Sequence, residues 1–355
     1  MTSLEFCHEL DFSKINFTER KIRITYPRTI LYGAPKVGKS FLIYDYLSNF
    51  DTKDYLYIDF EDSRVQKDQI ENDLEEFVYR NKIKVIVLEN FKFDIKIPFC
   101  DSVIITTNEI KDLKGYKKLF LSPLDFEEYL LHDKRNQNIT HNFNNFLKFG
   151  NLPQTVQIAD FKVYKHLQDI IKLISKDNTS EEILKLLFLN IDEKKSLNQL
   201  YLNLKNRIRI SKDKFYEQCK TFENRNIIYY IPKYNQIKAV KKIYSYNSAF
   251  FSAITYKKKF KNELTNIIFQ ELNNKFDEIY YLDYIDFYIP KKNLAIVSIP
   301  FFNSMIMASQ LKKIKKIALT YGIKEINIVT VSNNETIKSQ DIAINVLPFY
   351  EWALS

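Results

Sequence analysis

The residues Gly33-Ala34-Pro35-Lys36-Val37-Gly38-Lys39-Ser40 carry the first chemistry that stands out in this chain of 355 residues. They match GxxxxGK[ST], a spacing with a definite physical content. Gly33 and Gly38 let the loop curl so that successive backbone N–H groups face one anion. A helix that begins where the loop ends adds the positive pole of its dipole. Lys39 would then reach the β- and γ-phosphates of a nucleotide, and the Ser40 hydroxyl would ligate Mg²⁺. Ala34, Pro35, Lys36 and Val37 form the span between the glycines and complete the cradle. Thr29–Tyr32 reads as a short buried strand before the loop, and Phe41–Leu47 as a helix after it, which is the setting the motif requires. The expected ligands are ATP and Mg²⁺.

Nucleotide chemistry also needs a carboxylate at the end of a neighbouring buried strand. Lys84-Val85-Ile86-Val87-Leu88-Glu89-Asn90 supplies four apolar residues and then Glu89-Asn90, where the usual pair is Asp-Glu. Glu89 is one methylene longer than aspartate and can serve the metal, directly or through a water. Asn90 stands where a general base would and cannot accept a proton. Losing such a base costs roughly 10²–10⁴-fold in rate, so nucleotide binding is expected to survive while hydrolysis is slow or absent. Glu61 or Asp62, after the strand Tyr55–Phe60, is the alternative base. A third strand, Ser102–Thr107, runs into Asn108, the candidate sensor of the γ-phosphate or the lytic water.

The apolar fraction of 45% and the charged fraction of 27% are those of a globular protein and exclude a disordered or fibrous chain. The length suits two or three domains. Cys7, Cys100 and Cys219 form no CxxC pair, and His8, His132, His141 and His166 are equally scattered, so neither a disulfide framework nor a zinc site is expected. No basic-then-apolar leader and no apolar run of about 20 residues is visible. The expectation is a cytoplasmic protein with no membrane partner.

The formal charge of +9 is unevenly spread. Between Ser180 and Phe260, 17 Lys or Arg face 7 Asp or Glu, an excess that leaves the rest of the chain about neutral. A local excess of one sign marks a face that meets something anionic. In this segment Glu181–Asn190, Ser196–Lys205 and Lys212–Phe222 show apolar residues at helical spacing, with Ser196 and Ser211 as N-caps. Asn226–Pro232 and Ile237–Tyr246 read as two strands. Three helices and a β-hairpin make a winged helix-turn-helix, whose third helix can enter the major groove of DNA while the wing touches the backbone. Lys212, Lys214, Gln218, Lys220 and Arg225 would lie on or beside that helix, and Lys233, Lys238, Lys241 and Lys242 on the wing. If about six of these met phosphates, affinity would fall roughly 10³-fold between about 50 and 200 mM salt. The alternative is that the module packs between domains or subunits.

From about Phe250 the pattern is helix (Lys261–Asn273), strand (Ile279–Ile289), strand (Leu294–Pro300), helix (Ser304–Tyr321), strand (Ile326–Ser332) and a last strand near Ile342–Leu347.

With these segments in place the chain resembles the AAA+-type P-loop ATPases of bacteria and archaea that carry a C-terminal domain of unknown function. The "PLxFxEyL" segment of that family appears as Leu121-Ser122-Pro123-Leu124-Asp125-Phe126-Glu127-Glu128-Tyr129-Leu130. Its "GGxP" turn appears as Gly150-Asn151-Leu152-Pro153. The family's Gly-Arg pair is here Gly115-Tyr116, followed by Lys117-Lys118, so the arginine that would act on a neighbouring subunit's phosphate is missing. The resemblance implies ATP rather than GTP, and no NKxD motif follows the third strand. The C-terminal pattern resembles the PD-(D/E)xK nuclease fold, whose "VDF" becomes Ile285-Asp286-Phe287. Its "IEVK" becomes Ile296-Val297-Ser298-Ile299, and its helix Glu becomes Thr265 within Leu264–Ile268. One carboxylate of the metal site is kept, which implies a scaffold without nuclease chemistry unless Glu263, Glu271 or Asp283 compensates.

The expected architecture is α/β: a P-loop parallel-sheet ATPase core (residues 1–120), a helical lid (121–179), a winged helix (180–248) and a degenerate nuclease-like α/β domain (249–355). The expected function is an ATP-dependent switch acting on DNA. A DNA-stimulated ATPase motor, or a protein-interaction module of a defence or toxin–antitoxin-like system with a protein partner, are the alternatives. The sequence sets no oligomeric state.

Overall fold

The structure is a computed structural model and describes residues 2–108, 111–135, 137–337 and 342–355. The chain divides into two compact units, with the boundary after Ser122.

The first unit begins with the helix α1 (Ser3–His8), closed at its start by a capping box between Thr2 and Glu5. The strand β1 (Arg28–Tyr32) leads into the helix α2 (Lys39–Leu47). The remaining elements are β2 (Tyr55–Asp59), α3 (Lys67–Arg80), β3 (Val85–Glu89), β4 (Ser102–Thr106) and β5 (Lys117–Phe120). Five parallel strands pair in the order β2-β3-β4-β1-β5. Every residue of β3 and β4 is buried, as expected of central parallel strands covered on both faces. The helix α3 buries Ile70, Leu74, Phe77 and Val78, one stripe at helical spacing, against the sheet. The strand β5 was not legible in the sequence; two of its four residues are exposed, so it shows no apolar run.

The second unit opens with the helices α4 (Phe126–His132), α5 (Ile139–Phe149), α6 (Pro153–Gln157) and α7 (Asp160–Ile174). They are followed by α8 (Asn178–Leu189), α9 (Leu197–Lys205) and α10 (Lys212–Asn224), and by the antiparallel pair β6 (Ile228–Ile231) and β7 (Lys242–Ser245). Ser196 and Ser211 cap α9 and α10 through their hydroxyls. The expected wing strand from Ile237 does not form. Ile237 is 98% exposed, and residues 232–241 make a long connection anchored by Tyr234, whose ring meets Tyr280, Tyr288 and Tyr321.

Next come α11 (Ala249–Ile254), α12 (Phe260–Lys275), β8 (Tyr280–Leu282), β9 (Ile285–Ile289), β10 (Leu294–Ser298) and α13 (Ala308–Thr320). The chain closes with β11 (Glu325–Thr330), β12 (Glu335–Ile337), β13 (Ala343–Pro348) and α14 (Phe349–Ala353). Six strands pair in the order β12-β13-β11-β10-β9-β8, parallel in the centre and antiparallel at both edges. The single strand expected over Ile279–Ile289 is two, because the chain turns at Tyr284, where φ is 63°. Around α14, Phe349 meets Phe126, Phe143, Phe146 and Trp352. Among the described residues no helix is long and apolar enough to cross a membrane.

Candidate functional site

The loop from Gly33 to Ser40 follows the C-terminal end of β1 and delivers α2. Gly33 sits at φ 150°, and a Cβ there would stand 2.1 Å from the carbonyl oxygen of Leu121, so only glycine fits. Lys36 and Gly38 also take positive φ, which gives the loop its curl. Ala34 and Val37 are buried and hold the loop to the core, while Pro35 is half-buried and Lys36 exposed. Among the described residues no side chain caps the start of α2. Lys39 donates from Nζ to the carbonyls of Gly33 and Ala34, both at 2.9 Å, placing its ammonium across the mouth of the loop. Arg20 ties the loop from outside, donating to the carbonyls of Val37 and Ser122. These features fit a polyphosphate: a tightly curled loop at the start of a helix, a lysine ammonium across its mouth, and a first glycine with no room for a Cβ.

Glu89 lies at the end of β3 and is 5% exposed. Its Oε1 accepts from the Ser40 hydroxyl at 2.5 Å, which brings the two proposed metal ligands together. Its Oε2 accepts from the Tyr57 hydroxyl of β2, and that hydroxyl lies 3.2 Å from the hydroxyl of Tyr44 on α2. Burial raises the Glu89 carboxyl above its usual range, and the bonds from Ser40 and Tyr57 pull part of the way back. Burial and the adjacent Glu89 raise the Tyr57 phenol in turn, so it stays a donor. Phe12 stacks on Tyr44 with ring centroids 4.3 Å apart and 8° between planes.

Asn90 takes φ 57°, with its backbone N–H on the Thr106 hydroxyl and its side-chain amide on Asp59 Oδ1 at 2.8 Å. Asp59 ends β2 directly opposite Glu89 in the parallel register. Asp62, one of the two alternative bases, is held by the Arg64 guanidinium through both oxygens, which lowers its pKa to about 2. Glu61 is exposed. Asn108 is exposed two residues beyond β4, the strand that lies between β1 and β3. At the place of the missing arginine, Tyr116 packs on the core, Lys117 lies 3.6 Å over the Tyr26 ring and Lys118 pairs with Asp112.

The basic segment separates into exposed residues, of which Lys214 pairs with Asp177 at 3.5 Å, and residues engaged inside the protein. Lys212, Lys214, Lys220, Lys238 and Lys241 are exposed. Lys220, Lys238 and Lys241 join Lys195, Tyr216 and Tyr230 around a concavity of about 720 Å³ between α10 and the β6–β7 connection. Four further residues named as phosphate contacts have partners within the protein. Gln218 accepts from the Ser180 hydroxyl at 3.2 Å, and Arg225 donates to the carbonyl of Ile174 at 3.0 Å. Lys242 is 5% exposed and pairs with Asp192 at 2.6 Å and Asp286 at 3.2 Å, because β7 faces the second sheet's helix rather than solvent. Lys233 is likewise paired with Asp283.

Asp286 accepts from Lys242 and Lys261 on one oxygen and from the Ser298 N–H on the other. Burial alone would raise its pKa, but the two ammonium groups outweigh that and hold it well below the usual carboxylate range. Lys261, not Thr265, is the residue of α12 that reaches Asp286; the Thr265 hydroxyl turns back to the Lys261 carbonyl. The three compensating carboxylates are engaged elsewhere. Glu263 accepts from Ser252, Glu271 from the backbone N–H of Phe126, and Asp283 from Lys233.

No family model matches the chain. An uncharacterized protein of Methanocaldococcus jannaschii is 20% identical, over 92% of this chain and 88% of its own length. Among solved structures, a Walker-type ATPase of Pyrococcus abyssi aligns over 65% of this chain and 91% of its own, at 14% identity and a TM-score of 0.43.

Proposed function

We propose that the chain is an AAA+-like protein that binds Mg·ATP in its first unit, turns it over slowly or not at all, and uses nucleotide state to set the affinity of a basic winged helix for DNA. The observation that carries the nucleotide reading is the bond from Ser40 to Glu89 at the end of the curled loop Gly33–Ser40. It joins the end of the phosphate loop to the buried carboxylate of β3, so Ser40 and Glu89 would be the residues that hold a magnesium ion. Bound magnesium would neutralise charge developing on the phosphates. Lys39 would exchange the Gly33 and Ala34 carbonyls for phosphate oxygens, and the first turn of α2 would supply N–H donors. The helices α8–α10 with β6 and β7 form the winged helix of this reading, with the five exposed lysines as its phosphate contacts. The domain beyond serves as a nuclease-like scaffold, its former metal position closed by two lysines.

The test is equilibrium binding of labelled ATP and steady-state phosphate release, with and without duplex DNA. Mg-dependent binding that is lost in Lys39→Ala, with little turnover, is the expected result. Five phosphate contacts imply that DNA affinity falls roughly 500-fold between about 50 and 200 mM salt. Absence of ATP binding would refute the nucleotide reading. A DNA affinity indifferent to nucleotide would refute the switch, and rapid DNA-stimulated turnover would replace it by a motor.

A further inference from the structure

The conserved chemistry of phosphoanhydride hydrolysis needs an atom to take a proton from the attacking water, and Asn90 cannot be that atom. We propose that Asp59, at the end of β2, is the general base of whatever turnover this site performs. The proposal rests on the nucleotide reading given above.

Four observations converge on Asp59. The parallel register sets it beside Glu89, so its carboxylate leaves the sheet at the same edge as the metal-side carboxylate. Asn90, in the position next to Glu89, donates to Asp59 Oδ1 at 2.8 Å and thereby points the aspartate instead of replacing it. The backbone N–H of Glu61 gives Oδ1 a second bond at 3.0 Å. Among the described residues Oδ2 has no hydrogen-bond partner, so one oxygen is fixed and the other is open to a water. Asp59 is half-buried, reachable by solvent yet anchored.

The competing carboxylates lack this combination. Both oxygens of Glu89 are taken, by Ser40 and Tyr57. Asp62 is clamped by Arg64, and Glu61 shows only its backbone in the network. In the step itself, a water oxygen forms a bond to the γ-phosphorus as the bond from that phosphorus to the β–γ bridging oxygen breaks. The water proton passes to Asp59 Oδ2, and the electron pair of the broken bond leaves on ADP. Asn90 acts as a positioning residue, holding Oδ1 so that Oδ2 faces the water.

The experiment compares the full-length wild type, Asp59→Asn, Asn90→Ala and Lys39→Ala for Mg·ATP affinity and for phosphate release over long incubations. Asp59→Asn keeps the acceptor for Asn90 and changes no volume, so it should fold and bind ATP within about twofold of wild type. Its kcat should fall by roughly 10²-fold or more, toward the Lys39→Ala background. Asn90→Ala should lower kcat with KM and ATP affinity unchanged. Asp59→Asn turning over at the wild-type rate would overturn the proposal and leave the ATPase reading intact. Wild-type protein that binds ATP without any turnover above Lys39→Ala would also overturn it, while nucleotide binding stands. Wild-type protein that fails to bind ATP would remove the nucleotide reading itself and this proposal with it.

Discussion

In the proposed site Glu89 would face two demands that usually conflict. It would have to be ionised to hold a divalent cation, yet burial raises its pKa above the ordinary glutamate value of about 4.5. A carboxylate with a raised pKa keeps its proton to higher pH, so Mg-dependent ATP affinity should weaken on acidification before an ordinary glutamate would begin to titrate. Tyr57 lowers that pKa by donating to the ionised form. Tyr57→Phe should therefore move the midpoint of the affinity-versus-pH curve upward, which magnesium-dependent binding titrations at stepped pH would register. A midpoint unmoved by the substitution would mean that the bond has no energetic weight. The loop and Glu89 were legible in the sequence because a glycine-spaced motif and an apolar run ending in a carboxylate are local signals. Tyr57 was not, since a tyrosine inside a strand reads as core. Asp59 reads as part of a strand, with Glu61 and Asp62 beyond it as the carboxylates that follow the strand; only the register of two strands far apart in sequence singles it out.

Among the elements, the turn at Gly150-Asn151-Leu152-Pro153 shows how a motif does its structural work. Gly150 sits at φ 79°, and a Cβ there would come within 2.3 Å of the Asn247 side chain. Asn151 bonds the Leu124 carbonyl and Gln270, while Glu271 caps the first N–H of α4. The two motifs thus both lock onto α12. Gly150→Ala combines a left-handed conformation with a collision and should destabilise the protein by at least about 1 kcal/mol, visible as a lower midpoint in urea followed by circular dichroism. The helices α9 and α10 were readable to within two residues because serine caps mark their starts. The β6–β7 connection was not, because Ile237 alternates with polar neighbours as a strand would, yet faces only solvent. Its path is set by Tyr234, whose partners come from β8, β9 and the end of α13.

On the scale of the molecule, the second unit holds a set of four charges, Asp192, Lys242 and Asp286 with buried side chains and Lys261 reaching in from the surface. Tyr244 adds a hydroxyl to Asp192. Charges balance within the set, but removing one member strands the others away from water. Lys242→Ala should cost about 3–5 kcal/mol, measured by urea denaturation of the full chain; a loss near zero would mean that the cluster is well hydrated. The pH dependence follows from the sign of the Asp286 shift. Its pKa is depressed in the folded state, so the stability it contributes is present above the unfolded value of about 3.9. That stability is lost as pH falls toward about 2. Nothing in the sequence announced this cluster, because Lys242 was counted among surface lysines and its partners are 44 and 50 residues away.

The packing of Trp352 among the phenylalanines around α14 has an optical consequence. It is the sole tryptophan of the chain and belongs to the second unit, whereas the phosphate loop belongs to the first. Indole emission excited at long wavelength therefore watches the second unit alone. A change in that emission on adding Mg·ATP would therefore be an event sensed in the second unit.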